Sequence, residues 1–204
     1  MAVARTETKV DDGPVPQAIL AAATRLFASR GFDAASVREI AEAAGVAKPA
    51  IYYYFGNKEG LFDHLVEAGS SFLVERLKAI NARPLGENAR QCVEDAVWAF
   101  FEFAVQHSDL IRLIHGCVFG PSRHPSADIM ERAFGEVIEE FNLIVTRAAE
   151  SGLVDRRRIR DATMALRGVT NTYVFGYLHG RVRSLGRPLA AAVTEGFLYG
   201  YGAR

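Results

Sequence analysis

The sequence has little of several features that would direct its interpretation elsewhere. Its 204 residues include only two cysteines, Cys92 and Cys117, and neither belongs to a Cys-x-x-Cys pair. This favours two buried thiols over a redox or metal site. The 24 basic side chains balance the 24 acidic ones, so no overall positive field indicates a nucleic-acid partner. No apolar run reaches the length of a membrane span, and the N-terminus lacks a signal-peptide core. We therefore expect a soluble, cytoplasmic protein.

Motifs of enzymatic chemistry are also missing from the sequence. The five histidines form no His-x-x-x-His or His-Glu-x-x-His pattern, which zinc enzymes use. There is no glycine-rich phosphate loop and no Gly-x-Ser-x-Gly elbow. The sequence predicts no catalytic constellation, no cofactor and no metal.

What the sequence does contain is helical periodicity along nearly its whole length. No segment alternates apolar and polar residues as a half-buried strand does, and no internal repeat is present. Half of the residues are hydrophobic, which is enough for a sizeable core. The sequence predicts an all-α fold. Residues 1–15 are polar and aperiodic, and we expect a disordered arm there.

The stretch from Ser36 to Phe62 organises the chain. Ser36 and Glu39 have capping-box spacing, and an apolar stripe (Val37, Ile40, Ala41 and Ala44) follows on a short helix. Gly45 can end that helix in the left-handed conformation, and Pro49 suits the first turn of the next one, about residues 48–54. Two short helices joined by a glycine-containing turn predict a helix-turn-helix, whose second helix can enter the DNA major groove.

The run AGVAKPAIYYYFGNKEGLF resembles the DNA-binding signature of the TetR (tetracycline repressor-like) family of transcriptional regulators. The pattern Gly-Val-Ser-Lys-x-x-Leu-Tyr-x-x-Phe-x-x-Lys-Glu-x-Leu is matched by residues Gly45, Val46, Lys48, Ile51, Tyr52, Phe55, Lys58, Glu59 and Leu61. The local resemblance covers about residues 16–65. Ala47 departs from it where a serine would usually cap the recognition helix, and Ala50 where a small hydroxyl residue or glycine is common.

The helix-turn-helix supplies the candidate DNA contacts. Arg38 can reach a guanine edge or a phosphate, and Lys48 lies at the front of the recognition helix, where such motifs read base edges. Lys58, beside a helix N-terminus, is expected to anchor a phosphate. The resemblance implies phosphate contacts for Tyr52 and Tyr54 and a base contact for Tyr53; the alternative is that the tyrosines are core. The predicted DNA-binding residues are Ser36, Arg38, Lys48, Pro49, Ala50, Tyr52, Tyr53, Tyr54 and Lys58.

The electrostatic support for DNA binding is local and small. Between residues 16 and 58 there are five basic and three acidic side chains. Dimerisation would double that excess. The motif, and not the composition, therefore carries the DNA-binding prediction.

We expect a DNA-binding domain at residues 16–62 and a larger helical domain at 63–204. A helix that begins after Asn57 continues from one into the other. The resemblance implies that the larger domain binds an effector and dimerises. Aromatic, soft or polar residues on its middle helices are candidate effector contacts, although most of them can equally be core: Trp98, Phe101, His115, Phe119, Met130, Phe134, Asn171, Tyr173 and Tyr177.

Small residues recur at four- or eight-residue steps on the last two helices. Such stripes let helix backbones approach closely, in internal packing or in a subunit interface. TetR-like proteins dimerise through their last two helices, and the resemblance therefore implies an interface at Gly168, Thr172, Gly176, Gly180, Gly196 and Gly200. A two-fold dimer would present two recognition helices to a palindromic site.

The sequence thus predicts a transcriptional regulator, a repressor released from a palindromic operator by a small molecule. Activation instead of repression stays open, as do the effector and the operator sequence. Two alternatives come from other classes. One is a helical small-molecule-binding protein or enzyme with a degenerate helix-turn-helix, and the other is a ligand-independent interaction protein.

Overall fold

The computed structural model describes residues 13–84, 89–118 and 124–202. Within these ranges the chain forms α-helices and one short 3-10 helix, and it contains no strand. The predicted all-α fold is confirmed. The α-helices are α1 (Pro14–Arg30), α2 (Val37–Ala44), α3 (Lys48–Phe55), α4 (Lys58–Asn81), α5 (Ala89–Gln106), α6 (Ser108–Val118), α7 (Ala127–Glu150), α8 (Ile159–Leu178) and α9 (Arg187–Tyr201).

The helices α1 and α8 have distinct starts, and that of α1 differs from the sequence expectation. α1 begins at Pro14, two residues early, because a proline in the first turn needs no N–H donor. The predicted arm at residues 1–15 therefore falls mostly outside the described residues, and its last two residues are helical. A 3-10 turn, Arg156–Arg158, precedes α8, and at its start the Asp155 carboxylate accepts from the N–H of Arg157 at 2.9 Å.

The chain divides into two compact units. The first comprises the described parts of residues 1–68 and 109–130, and the second those of 69–108 and 131–204. The boundary falls within α4, so this helix contributes residues to both. The predicted division at residue 62 assigns functions to the two parts, and it stays a prediction.

An aromatic cluster lies at the centre of the first unit. Phe27 of α1, Phe32 of the α1–α2 connector and Phe62 of α4 are at most 6% exposed, with ring centroids 5.2–6.2 Å apart. Ile40 and Ile51 bring α2 and α3 onto the same core, and both are fully buried. Burying one such side chain stabilises a fold by about 1.5–3 kcal/mol. These contacts hold the helix-turn-helix against α1 and α4.

The second unit is built on α5, which packs against α8 and α9. Phe101, Phe141 and Leu166 fill its core with at most 1% exposure. Asp95 of α5 lies near the edge of this core and accepts hydrogen bonds from Arg83, Gln91 and Arg187. Burial alone would raise the pKa of Asp95, but these donors hold it below its ordinary value. The buried carboxylate is thus charged and joins the end of α4 to α5 and α9.

No helix in the described part of the chain combines the length and the apolar composition that crossing a bilayer requires.

Candidate nucleic-acid interface

The capping box predicted at the start of α2 is present. The Ser36 hydroxyl accepts from the N–H of Glu39 at 3.2 Å, and the Glu39 carboxylate accepts from the N–H of Ser36 at 3.0 Å. The backbone and hydroxyl of Ser36 lower the pKa of Glu39, and Arg30 lowers it further. The first turn of α2 therefore starts at a fixed residue and in a fixed direction.

Gly45 makes the turn between α2 and α3. Its backbone is left-handed, with φ 68° and ψ 28°. The N–H of Gly45 donates to Glu42 O at 3.2 Å, and the N–H of Val46 donates to Ala41 O at 3.0 Å. This pair of bonds is a Schellman motif, which ends a helix within one residue. The sharp turn leaves α3 free to present one of its faces to solvent.

The recognition helix α3 begins without a side-chain cap. Ala47 occupies the N-cap position with φ −74° and ψ 140°, and its methyl group accepts no hydrogen bond. Pro49 follows in the first turn, as predicted. The N–H of Ala50, which a serine hydroxyl at position 47 could accept, donates instead to the Ala47 carbonyl oxygen at 2.9 Å.

The exposed side of α3 carries a cation and two aromatic rings. Tyr53 is 77% exposed and Tyr52 is 45% exposed, whereas Tyr54 is half-buried, with its ring centroid 4.9 Å from that of Tyr53. Lys48 is exposed, and its ammonium lies 5.6 Å from the centroid of the Tyr52 ring. Pro49 is exposed and Ala50 half-buried beside them. Of the predicted residues of α3, four are thus exposed (Lys48, Pro49, Tyr52 and Tyr53) and two are half-buried (Ala50 and Tyr54).

The other predicted contact on the helix-turn-helix is Arg38. Its guanidinium is highly exposed and donates to Glu42 at 2.8 Å, one helical turn away. This hydrogen bond raises the pKa of Arg38. An exposed pair of this kind is weak and exchanges readily for another anion, such as a phosphate.

Lys58 is placed differently from Lys48. Its ammonium donates to the carbonyl oxygens of Asp33 at 3.3 Å and Ala35 at 2.9 Å, and it lies 4.4 Å from the centroid of the Phe32 ring. The side chain is half-buried against the connector between α1 and α2. Its predicted phosphate contact stays a prediction, and these internal contacts bear directly on it.

His124 also belongs to this unit. Its imidazole centroid lies 4.4 Å from those of both Phe32 and Phe62. Burial lowers the pKa of His124, although nearby carboxylates oppose the shift. No local sequence signal marks this contact, since the partners are more than 60 residues apart in the chain.

The candidate effector residues fall in different places. In the first unit, His115 is half-buried and Met130 buried. In the second, the Phe101 ring is buried with its centroid 6.4 Å from that of Tyr173, and Asn171 is exposed. Phe119 lies outside the described residues. The remaining three, all in the second unit, are half-buried: Trp98, Phe134 and Tyr177.

A groove of about 280 Å³ runs between α8 and α9. Tyr173 lines it together with Val169, Gly196 and Gly200. The six glycine and threonine positions predicted as an interface separate here into two groups. Gly168, Thr172, Gly196 and Gly200 are exposed.

Gly176 and Gly180 have roles within the chain itself. A Cβ at Gly176 would lie 2.8 Å from Cγ2 of Val182, so that residue must be small for the α8–α9 connection to pack. Gly180 follows the end of α8 and donates its N–H to Tyr177 O. Packing and hydrogen bonding within one chain therefore explain why Gly176 and Gly180 are glycines.

Both cysteines are free thiols. Cys92 is buried and Cys117 is half-buried. Burial, followed by the charge of Asp33, raises the pKa of Cys117 to about 11, which keeps it protonated near neutral pH. Within the described ranges no three His, Cys, Asp or Glu side chains cluster as metal ligands would.

Comparison with known proteins gives one match for the helix-turn-helix region and others for the fold of the chain. Residues 19–65 match the family model "Bacterial regulatory proteins, tetR family". This chain is similar to the HTH-type transcriptional activator FasR of Mycolicibacterium smegmatis, 38% identical over 47% of this chain and 43% of FasR. It is also similar to the HTH-type transcriptional repressor AcnR of Corynebacterium glutamicum, 37% identical over 39% of this chain and 40% of AcnR. The chain spans about half the length, or less, of these curated relatives.

Solved structures share the fold over most of the chain. The fatty acid degradation regulator FadR from Bacillus halodurans superposes with a TM-score of 0.77 over 90% of this chain and 98% of FadR, at 21% identity. The TetR-family regulator PfmR from Thermus thermophilus superposes with a TM-score of 0.73 over 89% of this chain and 97% of PfmR, at 20% identity. The helix-turn-helix of this chain thus matches the model of the tetR family of bacterial regulatory proteins, and its helices follow the fold of these solved structures.

Proposed function

We propose that this chain is a sequence-specific DNA-binding transcriptional regulator. The observation that carries the proposal is the accessible surface of α3, where Lys48, Tyr52 and Tyr53 project from a helix fixed at its start by the Gly45 turn. A helix of this width fits the major groove, where the edge of each base pair is distinct. Similarity to regulators named activator and repressor supports the same class of function.

The side chains divide into two kinds of contact. Lys48 at the front of α3 reads a base edge, and Tyr53 contacts a base edge or a thymine methyl group. Tyr52 and Tyr54 donate to phosphates, while Arg38 exchanges Glu42 for a phosphate or a guanine. Base contacts specify the sequence, and phosphate contacts fix the register.

Substitution of Lys48 tests this assignment. We expect Lys48→Ala to change which duplexes are enriched from a random pool, with the change confined to one or two positions of each half-site. Arg90→Ala is the matched control, because it also removes one exposed cation but lies on α5 in the second unit. If both variants enrich the wild-type sequence, the docking assignment is wrong.

We further propose that the chain acts as a homodimer through α8 and α9. The exposed residues of these helices include the apolar side chains of Met164, Val169, Phe175 and Tyr199, 41–94% exposed. Gly168, Gly196 and Gly200 lie among them and let a second helix pair approach closely. A patch of this kind is typical of a subunit interface. The two-fold axis places two copies of α3 on a palindromic site.

Sedimentation of two matched variants tests the interface. Val169→Glu puts a charge at a side chain that is 45% exposed on α8, and Val105→Glu does so at one that is 43% exposed on α5. We expect Val169→Glu to sediment as a monomer at micromolar concentration and Val105→Glu to stay dimeric. A dimer that survives Val169→Glu would exclude this face.

The proposed regulation is repression released by a small molecule, without catalysis by this chain. AcnR of Corynebacterium glutamicum and BdcR of Escherichia coli are named repressors, which supports this sign of regulation. α4 contributes residues to both units, so a ligand that displaces α4 can change the spacing of the two DNA-reading heads. Because linkage is reciprocal, such a ligand and the operator must weaken each other's binding by the same factor. Equal ligand affinity with and without operator would contradict this mechanism.

A further inference from the structure

The ammonium of Lys58 makes three contacts within the first unit. Two hydrogen bonds go to the carbonyl oxygens of Asp33 and Ala35, and the nitrogen also lies 4.4 Å from the centroid of the Phe32 ring, within cation–π range. A lysine ammonium has three donors and no acceptor. Two of the three donors are used in these bonds, so a DNA phosphate would have to compete with the connector for this ammonium.

Lys58 lies at the end of α4 where a cation is unfavourable, so its internal contacts have a cost to offset. It is the first residue of α4, and the Asn57 side chain accepts the N–H of Gly60 at 2.6 Å. The N-terminus of a helix carries a partial positive charge, so a cation there is unfavourable by itself. The contacts with the connector offset that cost.

The connector that Lys58 holds determines where α2 begins. Ala35 is 1% exposed, and its neighbour Ser36 is the N-cap of α2. α4 also follows directly from α3 through Gly56 and Asn57. Lys58 therefore ties the beginning of the helix-turn-helix to its end.

We propose that Lys58 is a positioning residue for DNA recognition, which fixes α2 relative to α4 through the Asp33 and Ala35 carbonyls and does not bind a phosphate. The inference rests on the proposed DNA-binding function. It assigns Lys58 and Lys48, two lysines of one motif, to different tasks. It also replaces the phosphate contact that sequence position alone suggests for Lys58.

The first test measures binding of the full chain to the duplex that the wild type enriches from a random pool, and to a scrambled duplex. We expect Lys58→Met to lower the ratio of these affinities by about tenfold and to leave the slope of log K against log salt unchanged. A lost phosphate contact would flatten that slope by about 0.9 and weaken both duplexes equally. Loss of folded protein alone would weaken both duplexes equally without changing the slope. Either of these two results overturns the proposal.

Lys58→Arg is the conservative variant. Arginine can replace a phosphate contact, but its planar guanidinium is larger than the ammonium that lies between the Asp33 and Ala35 carbonyls and the Phe32 ring, and it does not fit the same position. We expect Lys58→Arg to lose specificity as Lys58→Met does. Wild-type affinity and specificity in Lys58→Arg would contradict the positioning role.

Hydrogen exchange of the DNA-free protein provides a readout that does not depend on DNA binding. The amides of residues 36–40 should exchange about tenfold faster in Lys58→Met, while the α1 amides do not change. Lys48→Met is the control and should leave both groups unchanged. If the wild type enriches no duplex, the proposed function fails, and this comparison still decides whether Lys58 holds the connector. Unchanged exchange at residues 36–40 would overturn the inference.

Discussion

The imidazole of His124 lies edge-on to the ring of Phe32, with centroids 4.4 Å apart. Its Nδ1 accepts the N–H of Ser126 at 3.0 Å, so the neutral ring carries its hydrogen on Nε2. Protonation would convert Nδ1 to a donor facing another donor. Together with burial, this contact makes the neutral form the stable one in the folded protein.

The contact with His124 predicts a pH dependence of stability. The pKa of His124 is lowered by folding, so its contribution to stability is present above about pH 6.5 and is lost as pH falls through the folded-state pKa. The unfolded chain binds the proton more readily, which gives this sign. The charged groups that act on it are Asp33, Asp63, Glu59 and, in the opposite sense, Lys58.

Urea unfolding at pH 8 and pH 5 measures this dependence. We expect His124→Asn, which keeps an acceptor for the Ser126 N–H but does not titrate, to reduce the loss of stability between the two values. Burial also lowers the pKa of His107 in the second unit, and both proteins should therefore carry His107→Gln. Equal pH dependence with and without His124 would contradict the assignment.

The capping box of α2 predicts a measurable stability loss. Ser36→Ala removes the acceptor for the N–H of Glu39 and should lower the free energy of unfolding by about 1 kcal/mol. Ser29→Ala is the control, because the acceptors of the exposed Ser29 hydroxyl are backbone carbonyls within α1, those of Arg25 and Leu26. Denaturant midpoints at neutral pH give both values. Equal effects of the two substitutions would argue against a capping role for Ser36.

The missing cap of α3 predicts a stability gain. Ala47 already has the extended backbone of an N-cap residue, with φ −74° and ψ 140°. A serine hydroxyl there could accept the Ala50 N–H, which already donates to Ala47 O, so Ala47→Ser should stabilise the protein by about 0.5 kcal/mol, the low end for an N-cap. The same change at exposed Ala43, inside α2, should instead cost about 0.5 kcal/mol through helix propensity. Thermal unfolding of the two variants distinguishes the effect of capping from the effect of adding a hydroxyl group to a helix. Destabilisation by Ala47→Ser would refute the prediction.

The buried carboxylate of Asp95 predicts a pH-dependent effect in the second unit. Asp95→Asn leaves Arg83 and Arg187 without a charged acceptor and should lower the free energy of unfolding by about 2 kcal/mol at pH 7. Because folding lowers the pKa of Asp95, this difference should shrink as pH falls below about 4. Urea unfolding of both proteins at pH 7 and pH 3 measures it. A difference that does not depend on pH would show that charge is not its cause.

Local chemistry made the helix-turn-helix predictable. The start of α2 is set by bonds between Ser36 and Glu39, and its end by bonds at Gly45 and Val46, all of which span five residues or fewer. Pro49 suits the first turn of α3 because no N–H is needed there. The sequence is therefore sufficient to place α2 and α3. The fold class follows in the same way from periodicity. In these parts of the molecule, the residues that determine a helix end are close in sequence to that end.

Contacts between distant residues were not predictable. Lys58 donates to the Ala35 carbonyl, 23 residues away in the chain. The residues next to Lys58 in the sequence do not indicate whether its ammonium binds this carbonyl or a phosphate. His124 joins the Phe32 ring from a segment that reads as an ordinary loop. Gly176 shares the spacing of Gly168, but its small size accommodates Val182 in the same chain. Periodicity identifies the faces of a helix but not what packs on them.

The central claim is that α3 reads a DNA sequence, and selection from a random duplex pool at near-physiological salt tests it most directly. We predict enrichment of a palindrome whose half-sites are about one helical turn, 34–36 Å, or a multiple of that distance apart. Ala substitution of both Lys48 and Tyr53 should abolish this enrichment. Recovery of no sequence above background by the wild-type protein would contradict the claim.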